Sequence, residues 1–197
     1  MKTLDWRFDR QGRIGGREPE RAGEPRVIEG EYGPAVLFDG VDDALFLAES
    51  PLAGLAEYTV EVLLRPDAGG AEEQRFFHAG TVHGDRLLFE TRPAGEGGWC
   101  LDAFVASGAA SAALLDRTRP HPLGSWHWVA AVAGAGRFAS YVDGEPELSR
   151  GLAIGPAPAG RVALGCRQNR VSWFRGAIAR VRITPAALGA GELLRLP

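Results

Sequence analysis

The feature that most limits the fold of this chain is its succession of short apolar runs, without any long stretch of helical periodicity. In "EYTVEVLLRP" apolar residues occupy every second position, so one face of an extended strand would be apolar. The run ends at Pro66, because proline cannot donate to a β-ladder, and Gly, Pro, Asp and Asn separate it from its neighbours. The pattern predicts an all-β protein with antiparallel strands.

Further strands and turns can be placed along the chain. The segments "RFFHAG", "DRLLFETR" and "WCLDAFVAS" each have the length and composition of a strand. Asp143-Gly144 predicts a two-residue hairpin turn, since both central positions of that turn favour positive φ. After Pro185 the sequence allows one or two helical turns. We expect about a dozen strands and, with no linker or internal repeat, one domain over residues 1–197.

Charge and hydropathy exclude several kinds of partner. The net charge is −3 and the pI about 5.8, so neither nucleic acid nor a membrane surface is expected as a partner. The first residues, "MKTLDWRFDRQGR", lack the basic start and apolar core of a secretory signal. No apolar run approaches the roughly 18 to 20 residues that span a membrane. The chain as written is expected in the cytoplasm, or outside the cell if it is a domain of a longer protein.

Cysteine and lysine usage excludes further chemistries. Cys100 and Cys166 are far apart and in no CxxC spacing, which excludes a thiolate zinc site but leaves open one disulfide or two buried thiols. Of the 22 basic residues only Lys2 is lysine, so the body of the chain has none for a Schiff base or a phosphate-binding loop. The many arginines would suit the carboxylates or sulfates of acidic sugars, although a GC-rich genome also enriches arginine.

Five segments, taken in order, resemble the laminin-G-like, concanavalin A-like lectin and glucanase jelly-roll superfamily in its bacterial form. They are "LDWRFD", "YGPAVLFDGVDDALFL", "EYTVEVLLRP", "GSWHWVAAVAGAGRFASYVDGEP" and "VALGCRQNRVSWFRGAIARVRITPAAL". The resemblance implies a two-sheet antiparallel β-sandwich with ligands on the concave sheet or at its rim. Members include lectins, carbohydrate-binding modules, protein-binding domains, glycosidases and polysaccharide lyases, so fold membership alone does not decide the function.

Candidate catalytic groups are sparse. A retaining glycosidase needs two facing carboxylates about 5 Å apart, but Glu61, Glu90 and Asp102 stand singly on their predicted strands. A pair from different strands, such as Glu61 with Glu90, stays an alternative. A polysaccharide lyase would need a base, an acid and a cation. No residue is assigned a catalytic role, and we favour a non-catalytic protein. The most suggestive polar group for a lyase consists of His78, His83, Arg75 and Arg86.

Carbohydrate binding asks for less: an aromatic face that packs on sugar C–H groups, surrounded by planar polar side chains for the hydroxyls. Two tryptophans follow loops and adjoin predicted strand ends, whereas Trp6, Trp126 and Trp128 lie within alternating strands and are expected in the core. The predicted ligand-binding residues are Trp99, Arg167, Gln168, Asn169, Trp173, His78, His83 and Arg86.

Three aspartates, Asp39, Asp42 and Asp43, crowd around one glycine and could supply oxygen ligands to calcium. In calcium-binding members of the superfamily further acids come from the closing strand, where this chain has Ala179 and Arg180 instead. The alternative is a structural turn in which the carboxylates accept backbone N–H bonds, with Arg180 pairing with one of them. No other cofactor is predicted.

The sequence thus favours a non-catalytic glycan-binding module of the lectin type. A protein-interaction or assembly domain of the same fold is the first alternative, and it would require an exposed apolar patch or sheet edge. The second is a polysaccharide lyase or glycoside hydrolase that acts on acidic sugars.

Overall fold

The alternation of side chains along the strands builds a sandwich of two antiparallel sheets, as the sequence predicts. The computed structural model describes residues 2–197. Val60 and Val62 of one sheet, and Leu87 and Phe89 of the other, are buried in a common apolar cluster between the sheets. The residues between them in sequence point to the outer faces. Each sheet therefore has a core face and an outer face.

The described chain contains sixteen strands, more than the dozen expected, because strands of two to four residues are too short to show a period. In chain order they are β1 (Leu4–Arg7), β2 (Glu20–Ala22), β3 (Arg26–Gly30), β4 (Gly33–Asp39), β5 (Ala44–Leu47), β6 (Tyr58–Pro66), β7 (Gln74–Gly80), β8 (Arg86–Ala94), β9 (Gly98–Ser107), β10 (Ala110–Leu115), β11 (His121–Pro122), β12 (His127–Gly134), β13 (Arg137–Val142), β14 (Glu145–Gly151), β15 (Arg161–Leu164) and β16 (Arg175–Thr184).

The strand order brings distant parts of the chain together. The first sheet has the order β14-β13-β12-β6-β16-β4-β3, and β1 also pairs with β16. The second sheet has the order β10-β9-β8-β7-β15-β5-β2, and β11 also pairs with β9. Because β15 lies between β7 and β5, the loop that follows it, residues 165–173, starts at the middle of the second sheet.

One register row crosses the outer face of the second sheet. Leu88 of β8 pairs with Phe104 of β9 on one side and with His78 of β7 on the other. His78 in turn pairs with Ala163 of β15, which pairs with Phe46 of β5. Since paired residues point to the same face, these five side chains form a continuous line away from the core.

The predicted hairpin turn is confirmed, with φ of 51° at Asp143 and 76° at Gly144. The helical turn expected after Pro185 is a single 3₁₀ turn, Ala190–Glu192. It is the one helical element among residues 2–197, and no helix there is long and apolar enough to cross a membrane.

The C-terminal segment, residues 190–197, covers part of the outer face of the first sheet. Leu194 and Leu196 pack on a second apolar cluster that includes Trp126 and Trp128. These tryptophans are therefore buried as expected, but outside the central core, which holds Trp6.

Cys100 and Cys166 are buried free thiols. Burial raises the pKa of Cys100 to about 11 and that of Cys166 to about 12. The sequence left open one disulfide or two buried thiols, and the structure has two buried thiols.

Candidate functional site on the outer face of the second sheet

A depression lies on the outer face of the second sheet, over strands β7 to β10. Its volume is about 230 Å³. Leu88 and Phe104 provide apolar surface, and charged side chains surround them. We call this cavity the outer-face depression. Its lining consists of Arg75, Arg86, Leu88, Glu90, Arg92, Asp102, Phe104, Ala113 and Arg167.

Two carboxylates face each other at one end of the depression. Glu90 of β8 pairs directly with Asp102 of β9. Arg75 Nε lies 2.9 Å from Glu90 Oε1, and Arg92 Nε lies 3.1 Å from Asp102 Oδ2. Exposed Glu73 bridges the two arginines, at 2.7 Å from Arg92 Nη1 and 3.2 Å from Arg75 Nη2. This end is thus a network of opposite charges.

The two buried acids of this network hold their protons more tightly than free carboxyl groups. Burial raises the pKa of Glu90, and the charge of Asp102 adds to the effect, while Arg75 and Arg92 oppose it. Burial likewise raises the pKa of Asp102 against the opposing effect of Arg92. Desolvation therefore outweighs the ion pairs at both groups.

The other end of the depression carries positive charge without a counter-ion. Arg86 Nη1 donates to the carbonyl of Gly84 at 2.6 Å, and Arg167 Nη2 donates to the carbonyl of Val82 at 2.6 Å. Within residues 2–197 neither guanidinium has a carboxylate within 4.0 Å. Burial and then the charges of Arg167 and Arg75 lower the pKa of Arg86. The loop carbonyls hold both groups in place, and the charges of Asp85 and Glu90 act on Arg86 only from beyond ion-pair distance.

Unpaired polar atoms are concentrated around the depression. Eight buried side-chain atoms of residues 2–197 have no hydrogen-bond partner, and four of them belong to lining residues. One of the four, Glu90 Oε2, lies 3.0 Å from Arg92 Nη2, close enough for an ion pair but without hydrogen-bond alignment. Each unpaired buried group costs about 1–3 kcal/mol. The four atoms are Arg86 Nε, Arg167 Nε, Glu90 Oε2 and Asp102 Oδ1.

His78 fixes the 165–173 loop beside the depression. Its Nδ1 accepts the backbone N–H of Gln168 at 3.1 Å, and its Nε2 lies 3.0 Å from the carbonyl of Thr81, to which it donates as the neutral Nε2–H tautomer. Burial lowers the pKa of His78 to about 4, and the charges of Arg167, Arg86 and Arg75 contribute. The Gln168 side-chain amide donates to the carbonyl of Arg161 at 2.8 Å and to that of Gly80 at 3.2 Å. His78 and Gln168 are therefore supports of the site.

Of the residues predicted to bind a ligand, Arg86 and Arg167 line the depression, with His78 and Gln168 beside them. His83 and Asn169 lie in exposed loops at its edge. Trp173 is half-buried and packs on the cluster around Phe46, further along the same outer face. Arg161 and Arg170 stack over the Phe46 ring at 5.2 and 5.5 Å from its centroid.

Trp99 does not fit the predicted role of a sugar platform. Its side chain is 2% exposed, lies in the core cluster and donates its Nε1–H to the carbonyl of Pro122 at 3.2 Å. It packs against His121 and His127, which leaves no free aromatic face. The prediction was wrong because the register of β9 turns Trp99 towards the core, together with Leu101.

The carboxylate pair considered from the sequence does not exist. Glu61 lies on the outer face of the first sheet, where it accepts the backbone N–H of Leu194 at 2.7 Å and pairs with Arg182. Glu90 lies on the opposite side of the sandwich. The pair that the sequence analysis missed is Glu90 with Asp102. A signal was available, since charged residues alternate with core residues in "DRLLFETR".

The three aspartates form a turn that satisfies its own hydrogen bonds. Asp39 Oδ1 accepts the backbone N–H groups of Val41 at 2.8 Å, Asp42 at 3.2 Å and Asp43 at 3.3 Å. Asp43 accepts those of Glu24 at 2.7 Å and Asp39 at 3.1 Å. This is the Asx-type arrangement expected of a structural turn.

The cation that accompanies this turn is a different arginine from the one expected. Arg180 binds Asp5 through two hydrogen bonds, of 2.6 and 2.8 Å. Arg175 lies opposite Asp39 in the ladder and donates to its carbonyl at 3.0 Å.

The aspartate turn fits a hard cation only in part. One oxygen from each of the three carboxylates lies within 4.8 Å of the others. Burial tends to raise the pKa of Asp39, but its three backbone donors outweigh burial and lower it. Burial raises the pKa of Asp43, and the charge of Asp39 adds to this effect. Calcium would have to compete with backbone donors for the oxygens of Asp39 and Asp43.

Comparison with known proteins identifies the family. Residues 39–193 match the profile Laminin_G_3, described as the concanavalin A-like lectin/glucanases superfamily. The chain belongs to this superfamily. The resemblance seen in the sequence is thereby confirmed, and it agrees with the two-sheet fold. A comparison with curated protein sequences finds no match.

Solved structures of several other proteins share the fold. Domain 4 of AbnA, a GH43 extracellular arabinanase from Geobacillus stearothermophilus, in complex with arabinotriose, is 20% identical with a TM-score of 0.66, over 96% of this chain and 85% of that one. The heptameric SAP-like pentraxin from Limulus polyphemus is 18% identical with a TM-score of 0.60, over 79% and 77%. The receptor binding domain of botulinum neurotoxin D is 12% identical with a TM-score of 0.70, over 96% of this chain and 50% of its own. At sequence identities of 20% or less, these similarities are evidence for a shared fold only.

Proposed function

We propose that residues 1–197 form one LamG-like domain that acts as a non-catalytic glycan-binding module and holds its ligand in the outer-face depression. The observation that carries the proposal is the composition of that depression. Phe104 offers apolar surface for sugar C–H groups, with the Arg86 guanidinium 4.8 Å from its ring centroid, and further planar charged side chains surround it. Arg86 and Arg167 supply donors at one end of the depression, and the carboxylates of Glu90 and Asp102 supply acceptors at the other, which matches the hydroxyl groups of a sugar, since each can donate and accept.

The comparisons support this proposal at the level of the fold. The arabinanase domain was solved with arabinotriose, an oligosaccharide. The neurotoxin domain is named for receptor binding, which also fits the alternative of a protein-binding domain. That alternative would use an exposed apolar patch, but the large apolar side chains exposed in residues 2–197 are three scattered ones, Val41, Leu115 and Val171.

An enzyme that acts on acidic sugars is the second candidate, and Glu90 with Asp102 is the observation that favours it. A glycosidase uses two facing carboxyl groups, of which the general acid has a raised pKa, and here Glu90 faces Asp102 and burial raises the pKa of Glu90. Against it, Arg92 contacts both groups and Arg75 contacts Glu90, so each carboxylate is held in an ion pair. We therefore favour binding without catalysis.

Affinity electrophoresis through gels that contain neutral or acidic polysaccharides tests the proposal. We expect retardation in at least one gel, and intact polysaccharide along the lane. The variant Ala113→Tyr places a bulky side chain into the depression and should abolish the retardation. Ala109→Tyr is the matched control, because Ala109 is exposed in the β9–β10 turn and lies outside the lining. Unchanged mobility of the wild type in every gel would contradict glycan binding. Depolymerisation along the lane would instead favour the enzyme.

A further inference from the structure

The two ends of the depression differ in charge: one end has two arginines without an acidic partner, and the other has two carboxylates that are paired with arginines. Glu90 lies four residues beyond Arg86 on β8, about 13 Å away at the rise of an antiparallel strand. Arg86 and Arg167 stand without a counter-ion at one end. At the other end the carboxylates of Glu90 and Asp102 accept hydrogen bonds from Arg75 and Arg92. A ligand that fits both ends must carry an anionic group and hydroxyl donors on one short framework.

We propose that the depression selects glycans that contain a hexuronate, with the sugar carboxylate between Arg86 and Arg167 and sugar hydroxyls towards Glu90 and Asp102. This inference rests on the proposed glycan-binding function and names its ligand class. A guanidinium pairs with a carboxylate through two parallel hydrogen bonds. Each of the two arginines uses one Nη atom for a loop carbonyl, at Gly84 or Val82, and its Nε is buried, which leaves its other Nη atom for the ligand.

The surroundings of the two arginines explain why an anion is favoured there. The other arginines of this face already have acidic partners: Arg75 and Arg92 pair with Glu90, and Arg161 and Arg170 pair with Glu20. Arg86 and Arg167 repel each other at a partly buried position, so a carboxylate between them removes a repulsion as well as adding an attraction.

The acidic end of the depression argues for a carboxylated sugar over a sulfated one. A hexuronate keeps ring hydroxyls that can donate to Glu90 and Asp102. A densely sulfated chain replaces hydroxyls by sulfate esters, and these would bring negative charge against both carboxylates. The same end also argues against a ligand that is only anionic, such as inorganic phosphate.

Calorimetric titration with matched polymers tests the inference. The probes are polygalacturonate and alginate, the same polymers after reduction of their carboxyl groups to primary alcohols, and dextran sulfate. We expect the carboxylated polymers to bind at least about tenfold more tightly than their reduced forms, and salt to weaken the binding of the carboxylated forms only. Dextran sulfate should bind more weakly than polygalacturonate.

Variants locate the effect. Arg86→Gln and Arg167→Gln should each lower the affinity for polygalacturonate at least about tenfold and leave the affinity for the reduced polymer unchanged. Arg150→Gln makes the same charge change at an exposed position of β14, outside the depression, and should change neither. Thermal melts of the variants establish that each is folded. Two arginine variants are used so that the test can still be made if one of them does not fold.

The outcomes separate the inference from the proposed function. Equal binding of carboxylated and reduced polymers, or arginine variants that weaken both equally, would overturn the hexuronate assignment while glycan binding stands. Tighter binding of dextran sulfate would do the same. Absence of binding to all these polymers and to neutral polysaccharides would overturn both.

Discussion

Acid should destabilise this protein through His78, the buried histidine beneath the 165–173 loop. Its pKa is about 4 in the folded chain against 6.5 in its unperturbed state. As the pH falls below 6.5, His78 becomes protonated in the unfolded chain, whereas in the folded chain it stays neutral down to about pH 4. Stability from this residue is thus fully present above pH 6.5 and is lost progressively down to about pH 4. A difference of about 2.5 pKa units corresponds to about 3 kcal/mol.

Urea denaturation at a series of pH values measures this loss. The wild type is compared with His78→Gln, which removes the titrating group and keeps one donor and one acceptor. The variant is expected to be less stable at neutral pH, because the two bonds to Thr81 and Gln168 change. Its free energy of unfolding should then fall less steeply than that of the wild type between pH 6.5 and 4. Other groups, such as Glu90 and Asp102, titrate in both proteins and cancel in the comparison. Parallel curves would refute the reasoning.

Four further outcomes can be checked by denaturation, by thiol chemistry or by metal removal. Glu61→Ala should lower the free energy of unfolding by about 1.5–3 kcal/mol, because it removes a buried carboxylate that binds Arg182 and the backbone N–H of Leu194 in the C-terminal segment. Urea titration measures this change, and a value below about 1 kcal/mol would contradict the role. Gly165→Ala should destabilise the protein more than Gly108→Ala, although both glycines have positive φ. A Cβ at position 165 would lie 2.4 Å from the Phe38 ring, whereas a Cβ at position 108 meets nothing within 4 Å. Equal losses of stability would count against the steric argument. Cys100 and Cys166 should react with a thiol reagent only after denaturant is added, because both thiols are buried and have raised pKa values. Fast labelling of the native protein would show instead that the second sheet opens. A chelator should leave the melting temperature unchanged if the aspartate turn is held by its backbone bonds alone, whereas a decrease would support calcium.

The fold could be predicted from the sequence because its signals are local. Alternation within a strand depends on neighbouring residues, as does the turn at Asp143-Gly144, and both are as predicted. The sequence did contain the information that was needed to place Trp99 in the core. Trp99, Leu101 and Ala103 alternate in sequence and share the core face, so the period of two was a better guide than the glycines before Trp99.

The site depends on contacts that no local pattern contains. Arg86 and Arg167 are 81 positions apart and come together only because β15 inserts beside β7. The sequence singled out both residues for their chemistry, but it could not show that they share one cavity or that neither has an acidic partner. Pairings between distant strands determine both facts.

The C-terminal segment also has a practical consequence for how the protein can be attached to a surface. Pro197 lies with Leu194 on the outer face of the first sheet, on the far side of the sandwich from the depression. A tag or fusion partner added at Pro197 would therefore project away from the ligand. Molecules immobilised through this end should present the second sheet to the solution in a common orientation, whereas attachment through the 165–173 loop would obstruct it.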